Sequence, residues 1–138
     1  MKATGSRSRG TEYVHPSLAA AHAKFHVPSA LELDGWVYLT GVIAAKAPED
    51  NGDLTPAFTR AFRQIAEVLQ LAGCSWDDVV KITSYHLNVH EEIPVMAAVK
   101  DRYCGAPYPA WSVVGVASLA NPAGVCEIDV IARKGTGI

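Results

Sequence analysis

Leu69-Gln70-Leu71-Ala72-Gly73-Cys74-Ser75-Trp76-Asp77-Asp78-Val79-Val80-Lys81-Ile82-Thr83 holds the end of a helix, a turn and the start of a strand. Upstream of it, Phe58, Phe62, Ile65, Leu69 and Ala72 recur at helical spacing, with Arg60, Arg63, Glu67 and Gln70 mostly off that face. Thr55 is placed to cap this helix, and Pro56 suits its first position, where a missing N–H costs nothing. Gly73 supplies the stop. Ser75 and Asp78 stand at capping-box spacing. The β-rich residues from Val79 to Val89 allow only a single short turn there before a strand.

Working outward, Ala30–Leu33 and Trp36–Val42 read as strands around an Asp34-Gly35 hairpin turn. Glu91 and Glu92 favour a second helix start, with Met96, Val99 and Tyr103 on its buried face and Gly105 and Pro107 at its end. Two strands follow, Ala110–Ala117 and Val125–Arg133. The order β-β-α-β-α-β-β predicts an α+β domain with two helices on one face of a single mixed sheet. In the last strand Cys126, Ile128, Val130 and Ala132 point one way, while Val125, Glu127, Asp129 and Ile131 point the other. That second face, aliphatic but with two carboxylates, predicts a subunit interface with a ligand cleft and hence a homo-oligomer. The expected division is a flexible N-terminal tail, residues 1–24, and one domain over 25–138.

Hydrophobic residues make up 49% and charged residues 19% of the 138, a globular composition. No apolar run is long enough for a membrane span, and Lys2, Arg7 and Arg9 precede no apolar signal segment, so the default expectation is cytoplasmic. A net charge of −2 offers no basic field for nucleic acid. Cys74, Cys104 and Cys126 are odd in number and lack a C-x-x-C pair, which reads as core thiols. His86 and His90, and His22 and His26, are four apart. With no carboxylate or cysteine at ligand spacing, no metal site is expected. The imidazoles read as surface or cleft-edge groups, with His26 the one to watch.

The segment from Leu69 to Thr83 resembles the helix–turn–strand signature of the RidA/YjgF family, also labelled endoribonuclease L-PSP or translation inhibitor. Leu39-Thr40-Gly41 is similar to its early strand end, Pro109-Ala110-Trp111-Ser112-Val113 to its "PARS" turn, and Glu127 to Ala132 to its closing strand. The resemblance covers about Val27 to Lys134. It implies a chorismate-mutase-like protomer in a homotrimer, sheets inward, with a small-molecule ligand in clefts between subunits. It also implies hydrolysis of imines and enamines to ammonia and a 2-oxo acid, with neither metal nor organic cofactor. Glu127 stands where the family holds its attacking water. Thr40, beside Gly41, replaces a serine hydroxyl. Val113 stands where a backbone carbonyl is used, and Ala97 where an asparagine is frequent. The tyrosine of the cleft falls near His26 or Val27.

Trp111 replaces the arginine that pairs with the substrate carboxylate. A charge-assisted fork contributes about 1.5–3 kcal/mol per bond, so its loss weakens a carboxylate ligand by roughly tenfold or more. Lys81, Lys100 and Arg102 are candidate substitutes. Trp111 itself suits stacking on a ligand or, equally, filling a subunit interface. These readings favour an imine- or enamine-directed protein whose substrate is not a standard 2-imino acid. A non-catalytic metabolite-binding trimer is the alternative, and a ribonuclease or translation inhibitor the third reading, against which the acidic balance counts.

Overall fold

The computed structural model describes residues 9–137. Ten elements follow one another: β1 (Thr11–Tyr13), α1 (Ala19–Phe25), β2 (Ala30–Leu33), β3 (Trp36–Leu39), β4 (Val42–Ala45), α2 (Thr55–Leu71), β5 (Val79–His86), α3 (Val89–Lys100), β6 (Ala110–Gly115) and β7 (Gly124–Arg133). They form one mixed sheet in the order β1-β2-β3-β7-β5-β6, with β4 also paired to β7. All pairings are antiparallel except β5 with β6, where α3 makes the crossover that parallel strands require. This is the chorismate-mutase-like α+β arrangement expected from the sequence.

The core lies between the sheet and α2 and α3. Phe58, Phe62, Ile65, Val68 and Leu69 of α2 are fully buried against Val37, Ile82, Ile128 and Val130 of the sheet. Phe62 stacks on Trp76 at 4.9 Å, which ties the end of α2 to the turn that launches β5. That turn is built as the sequence predicts: Ser75 Oγ accepts from the Asp77 N–H, and Asp78 Oδ2 accepts from the Ser75 N–H at 2.9 Å. The Asp34-Gly35 turn has both residues at positive φ, 53° and 83°, as a two-residue hairpin of right-handed strands demands.

Several expectations are corrected. From Thr11 to Phe25 the chain is not a tail but a strand, a 3-10 turn and a short helix. β1 adds to the sheet edge through Thr11↔Glu32 and Tyr13↔Ala30, and Tyr13 Oη donates to Glu32 Oε1 at 2.8 Å. The second helix begins at Val89 rather than at Glu91. Glu92 folds back so that Oε2 accepts the Asn88 N–H at 3.1 Å, which places the helix end two residues earlier. It stops at Lys100, before Gly105. Finally, Trp36–Val42 is not one strand. Tyr38 pairs with Ile131 and Val42 with Ile128, so four steps on one strand face three on the other. The extra residue is a β-bulge at Thr40-Gly41.

Candidate functional site

The bulge organises a cleft. Thr40, Gly41, Val42 and Ile43 line one side of a cavity of about 470 Å3, the turn before α1, α1 itself and the segment after it contribute Leu18, Ala21 and Val27, and α2 contributes Gln64 and Val68. Glu127 of β7 reaches this cavity and also a second one of about 350 Å3, lined by Tyr85, Ser118, Leu119 and Asp129. Gly41 and Ala120 border both, so the Glu127 carboxylate stands at the junction. Gly41 is needed for that position: a Cβ there would run into the Glu127 carboxylate group.

Glu127 is half-buried and makes no side-chain hydrogen bond or ion pair with any described residue. A carboxylate held against backbone without a partner keeps its oxygens free to accept from a water or a ligand. Thr40 is engaged: its Oγ1 donates to the Pro28 carbonyl at 2.6 Å, and its N–H donates to the Ser29 carbonyl at 3.0 Å. With the hydroxyl proton committed, Thr40 meets a ligand only as an acceptor. Asp129, two residues along the same face, is partly withdrawn from water, and burial pushes its carboxyl up from the ordinary range.

Thr40, Gly41 and Glu127 therefore meet in one place. Val27 joins them, whereas its neighbour His26 is exposed and ends α1 in a left-handed conformation at φ 57°. Trp111, Val113 and Ala97 do not line this cleft. In the β5–β6 register Ile82 lies beside Trp111 and Ser84 beside Val113, which puts both β6 side chains on the helix-covered face, opposite Glu127. Of the three alternative bases, Lys81 lies on the open face and donates to Ser112 Oγ at 2.7 Å, and Arg102 is exposed after α3. Lys100 lies against Trp111, its Nζ 5.3 Å from the centre of the indole.

Sequence reasoning missed what holds Trp111. Its indole Nε1 donates to Ser84 Oγ at 2.8 Å. The Ser84 hydroxyl lies 2.7 Å from His86 Nε2, and His86 Nδ1 lies 2.8 Å from Glu92 Oε1. Proton directions agree along the whole chain if His86 is the Nδ1–H tautomer: indole to serine, serine to imidazole, imidazole to carboxylate. Ser84, His86 and Glu92 are all buried, and His86 packs on Phe58. His86 is thus a core histidine and not a cleft-edge one. The signal was present, since Ser84 and His86 occupy alternate positions of β5 that share a face with Ile82. Burial pushes the Glu92 carboxyl up, while the bonds from His86 and Asn88 pull it back. Among the described residues no three His, Cys, Asp or Glu side chains group as a metal site. Among the described residues no helix is long and apolar enough to cross a membrane.

An α+β sheet with a ligand-sized cleft at a strand bulge defines the class, and comparison with known proteins places it. The chain belongs to the RidA/YjgF family: the family model described as Endoribonuclease L-PSP matches residues 17–134. It is 30% identical over 117 residues to the RutC family protein YjgH of Escherichia coli, covering 81% of this chain and 86% of that one. It is also 30% identical over 105 residues to a 2-iminobutanoate/2-iminopropanoate deaminase of Dermatophagoides farinae, covering 74% and 80%. A solved structure of protein YjgH superposes with a TM-score of 0.78 at 27% identity, over 91% of this chain and 97% of that one. A Mycobacterium tuberculosis member of the YjgF/YER057c/UK114 family shares the fold at a TM-score of 0.76 and 22% identity, over 89% and 98%.

Proposed function

We propose that this protein hydrolyses a small imine- or enamine-type metabolite, with Glu127 as the residue that positions and deprotonates the attacking water. The observation that carries this reading is the partnerless Glu127 carboxylate, fitted against Gly41 where two cavities join. Its relative named as a 2-iminobutanoate/2-iminopropanoate deaminase supports the reaction class. Water held by Glu127 attacks the C=N carbon and gives up a proton to the carboxylate. Glu127 returns that proton to the nitrogen to give a neutral carbinolamine, whose hydroxyl proton then passes to nitrogen as the C–N bond breaks, so that ammonia and a carbonyl product leave. The step needs no metal or organic cofactor.

The ligand differs from a standard 2-imino acid. The residues lining the Glu127 cleft include no lysine or arginine. At position 111 an indole stands in place of the arginine fork, and its single N–H is already committed to Ser84. We place the working cleft between subunits of a homotrimer. The open sheet face leaves Trp36, Tyr38 and Val114 exposed, an apolar surface of the kind that a second copy covers. Light scattering at a mass of roughly three times 14.7 kDa is the expected result.

The test is ammonia release from a panel of imines generated in situ, from the 2-iminopropanoate type to larger and non-carboxylate ones, with Trp111→Arg alongside. The expected outcome is weak turnover of the small 2-imino acids and faster turnover of others. Ordinary family-like turnover of 2-iminobutanoate by the wild type would overturn the substrate reading. The committed Trp111 N–H also favours a second reading, a metabolite-binding trimer that lost its chemistry. Binding that survives Glu127→Ala with no ammonia released from any imine would select it.

A further inference from the structure

Helix α1 covers space rather than core. None of its residues is buried, yet it is held in place. In the turn before it, His15 Nδ1 accepts from the Ser17 N–H at 3.1 Å, which leaves Nε2–H to donate to Glu67 Oε1 of α2 at 2.9 Å. So anchored, the segment turns Leu18 and Ala21 toward the cavity of about 470 Å3. The facing side of α2 has a matching irregularity. Ala57, Ala61 and Val68 share one stripe of that helix and are all buried, and Gln64 falls between them on the same stripe. Gln64 is half-buried, lines the same cavity and makes no side-chain hydrogen bond with any described residue. An amide set into an apolar stripe must be met there by water or by a ligand.

This cavity passes through the sheet. Ile43 and Glu127 face each other on the open side of the β4–β7 pair, whereas Val42, opposite Ile128, belongs to the covered side with α2. Ile43, Glu127, Val42, Gln64 and Val68 nevertheless line one space. The opening exists because the Thr40-Gly41 bulge carries the chain out of register between β3 and β4. A molecule whose C=N lies at Glu127 therefore has room for a side chain that runs through the sheet toward the helices. The walls along that path are aliphatic, and Gln64 on the helix layer is an uncharged hydrogen-bonding group.

We infer that the space between α1 and α2 is the side-chain subsite of the Glu127 cleft, and that it selects an imine with an extended apolar tail ending in an uncharged polar group. The inference rests on the Glu127 reading for the position of the C=N and adds to it what the tail must be. Each buried methylene strengthens binding roughly fourfold. Three of them outweigh a loss of roughly tenfold with the arginine fork. The tail thus supplies affinity that position 111 no longer gives to the head, and imines too short to reach the helix layer are disfavoured.

Ammonia release is measured with imines made in situ by an amino-acid oxidase from alanine, norvaline, norleucine and the ω-hydroxy derivative of norleucine. From the alanine-derived to the norleucine-derived imine, kcat/KM should climb roughly fourfold per methylene. Ala21→Trp fills the space from the α1 side and should flatten that climb. Gln64→Leu should keep the climb but lower the hydroxylated imine on the order of tenfold relative to the norleucine-derived one. A flat wild-type series, or an unaltered climb in Ala21→Trp, would overturn the subsite and leave the Glu127 reading standing. An unaltered ratio in Gln64→Leu would overturn the assignment of the polar tip. If Ala21→Trp does not fold, the wild-type climb and Gln64→Leu decide. If no imine releases ammonia, the Glu127 reading fails and binding alone decides the subsite. Hexanol should then saturably shift the Leu18 methyl resonances of the 13C-labelled full-length protein, assigned by their loss in Leu18→Met, and ethanol should not. Resonances that ignore hexanol would overturn the subsite.

Discussion

The two faces of the central sheet treat their polar groups in opposite ways. On the helix-covered face, Trp111, Ser84, His86 and Glu92 pass hydrogen bonds from one to the next until each is satisfied. On the open face, Glu127 has no partner among the described residues, and burial raises the Asp129 carboxyl. Buried polar groups that are fully paired hold a structure in one arrangement. Polar groups left unpaired at a cavity are available to a ligand. The contrast fits a structural role for the first face and the proposed chemistry for the second.

The contrast can be broken by mutation, and the largest effect is expected on the covered face. Glu92→Ala strands the buried His86 imidazole and its neighbours. We expect a loss of about 3–5 kcal/mol in urea unfolding. A loss near zero would mean that the chain of bonds is decorative. Next is Gly41→Ala on the open face, where the two readouts should separate. Its Cβ meets the far end of a flexible glutamate, so stability should change little while Glu127 is displaced. Misplacement by about 1 Å costs on the order of a hundredfold in turnover. Equal loss of stability and activity would show the bulge to be structural only.

A third prediction is smaller. Trp111→Phe keeps an aromatic ring but removes the pyrrole part of the indole, and with it the N–H that Ser84 accepts, at an expected cost of about 1 kcal/mol for the hydrogen bond with the lost packing added to it. The midpoint of urea unfolding measures it.

The fourth sets two carboxylates against each other by pH. The Arg60 side chain, in ion pair with Asp50 at 2.7 Å, holds that carboxyl below its ordinary range. Its folded pKa lies under its unfolded one, so its stabilisation is present above the ordinary carboxylate range and is lost as pH falls through it. Asp129 is raised, so its contribution has the opposite sign: complete at acid pH and lost as pH rises through its folded value. Asp50→Asn should flatten the acid limb of the stability curve. Asp129→Asn should raise stability at neutral pH. Parallel curves for the two variants would contradict the assignment of one ion-paired carboxylate and one raised by burial.

The same contrast explains what the sequence disclosed. Helix α2, the Ser75–Asp78 turn, the Asp34-Gly35 hairpin and the alternation of β7 all carry local signals, and each is where the residues indicated, except that α2 starts one residue early: Thr55 is its first residue, Pro56 its second, and the N-cap is Leu54, whose side chain cannot cap it. β1 is three residues whose only reason to be a strand is pairing with β2 across a helix, and nothing local announces that. The Thr40-Gly41 bulge is a register property of two strands. A glycine within a strand run is its one visible sign. At the site, the residues alone offered only the mixed face of β7 that carries Glu127, and Thr40 and Gly41 were singled out by the resemblance to the family. The direction of Trp111 was not legible, because it depends on the parallel pairing with β5, which brings its indole N–H to Ser84.

The most direct test of the division between the faces is Glu127→Gln. The change removes one charge, keeps the shape, and touches no partner in the described structure. Ammonia release from the best imine substrate should fall on the order of a hundredfold or more, within the usual range for losing a general base. The thermal midpoint should stay within a degree or two, as for a substitution that breaks no bond. A Glu127→Gln protein that turns over imine at the wild-type rate, or one that loses several degrees of stability, would contradict the account.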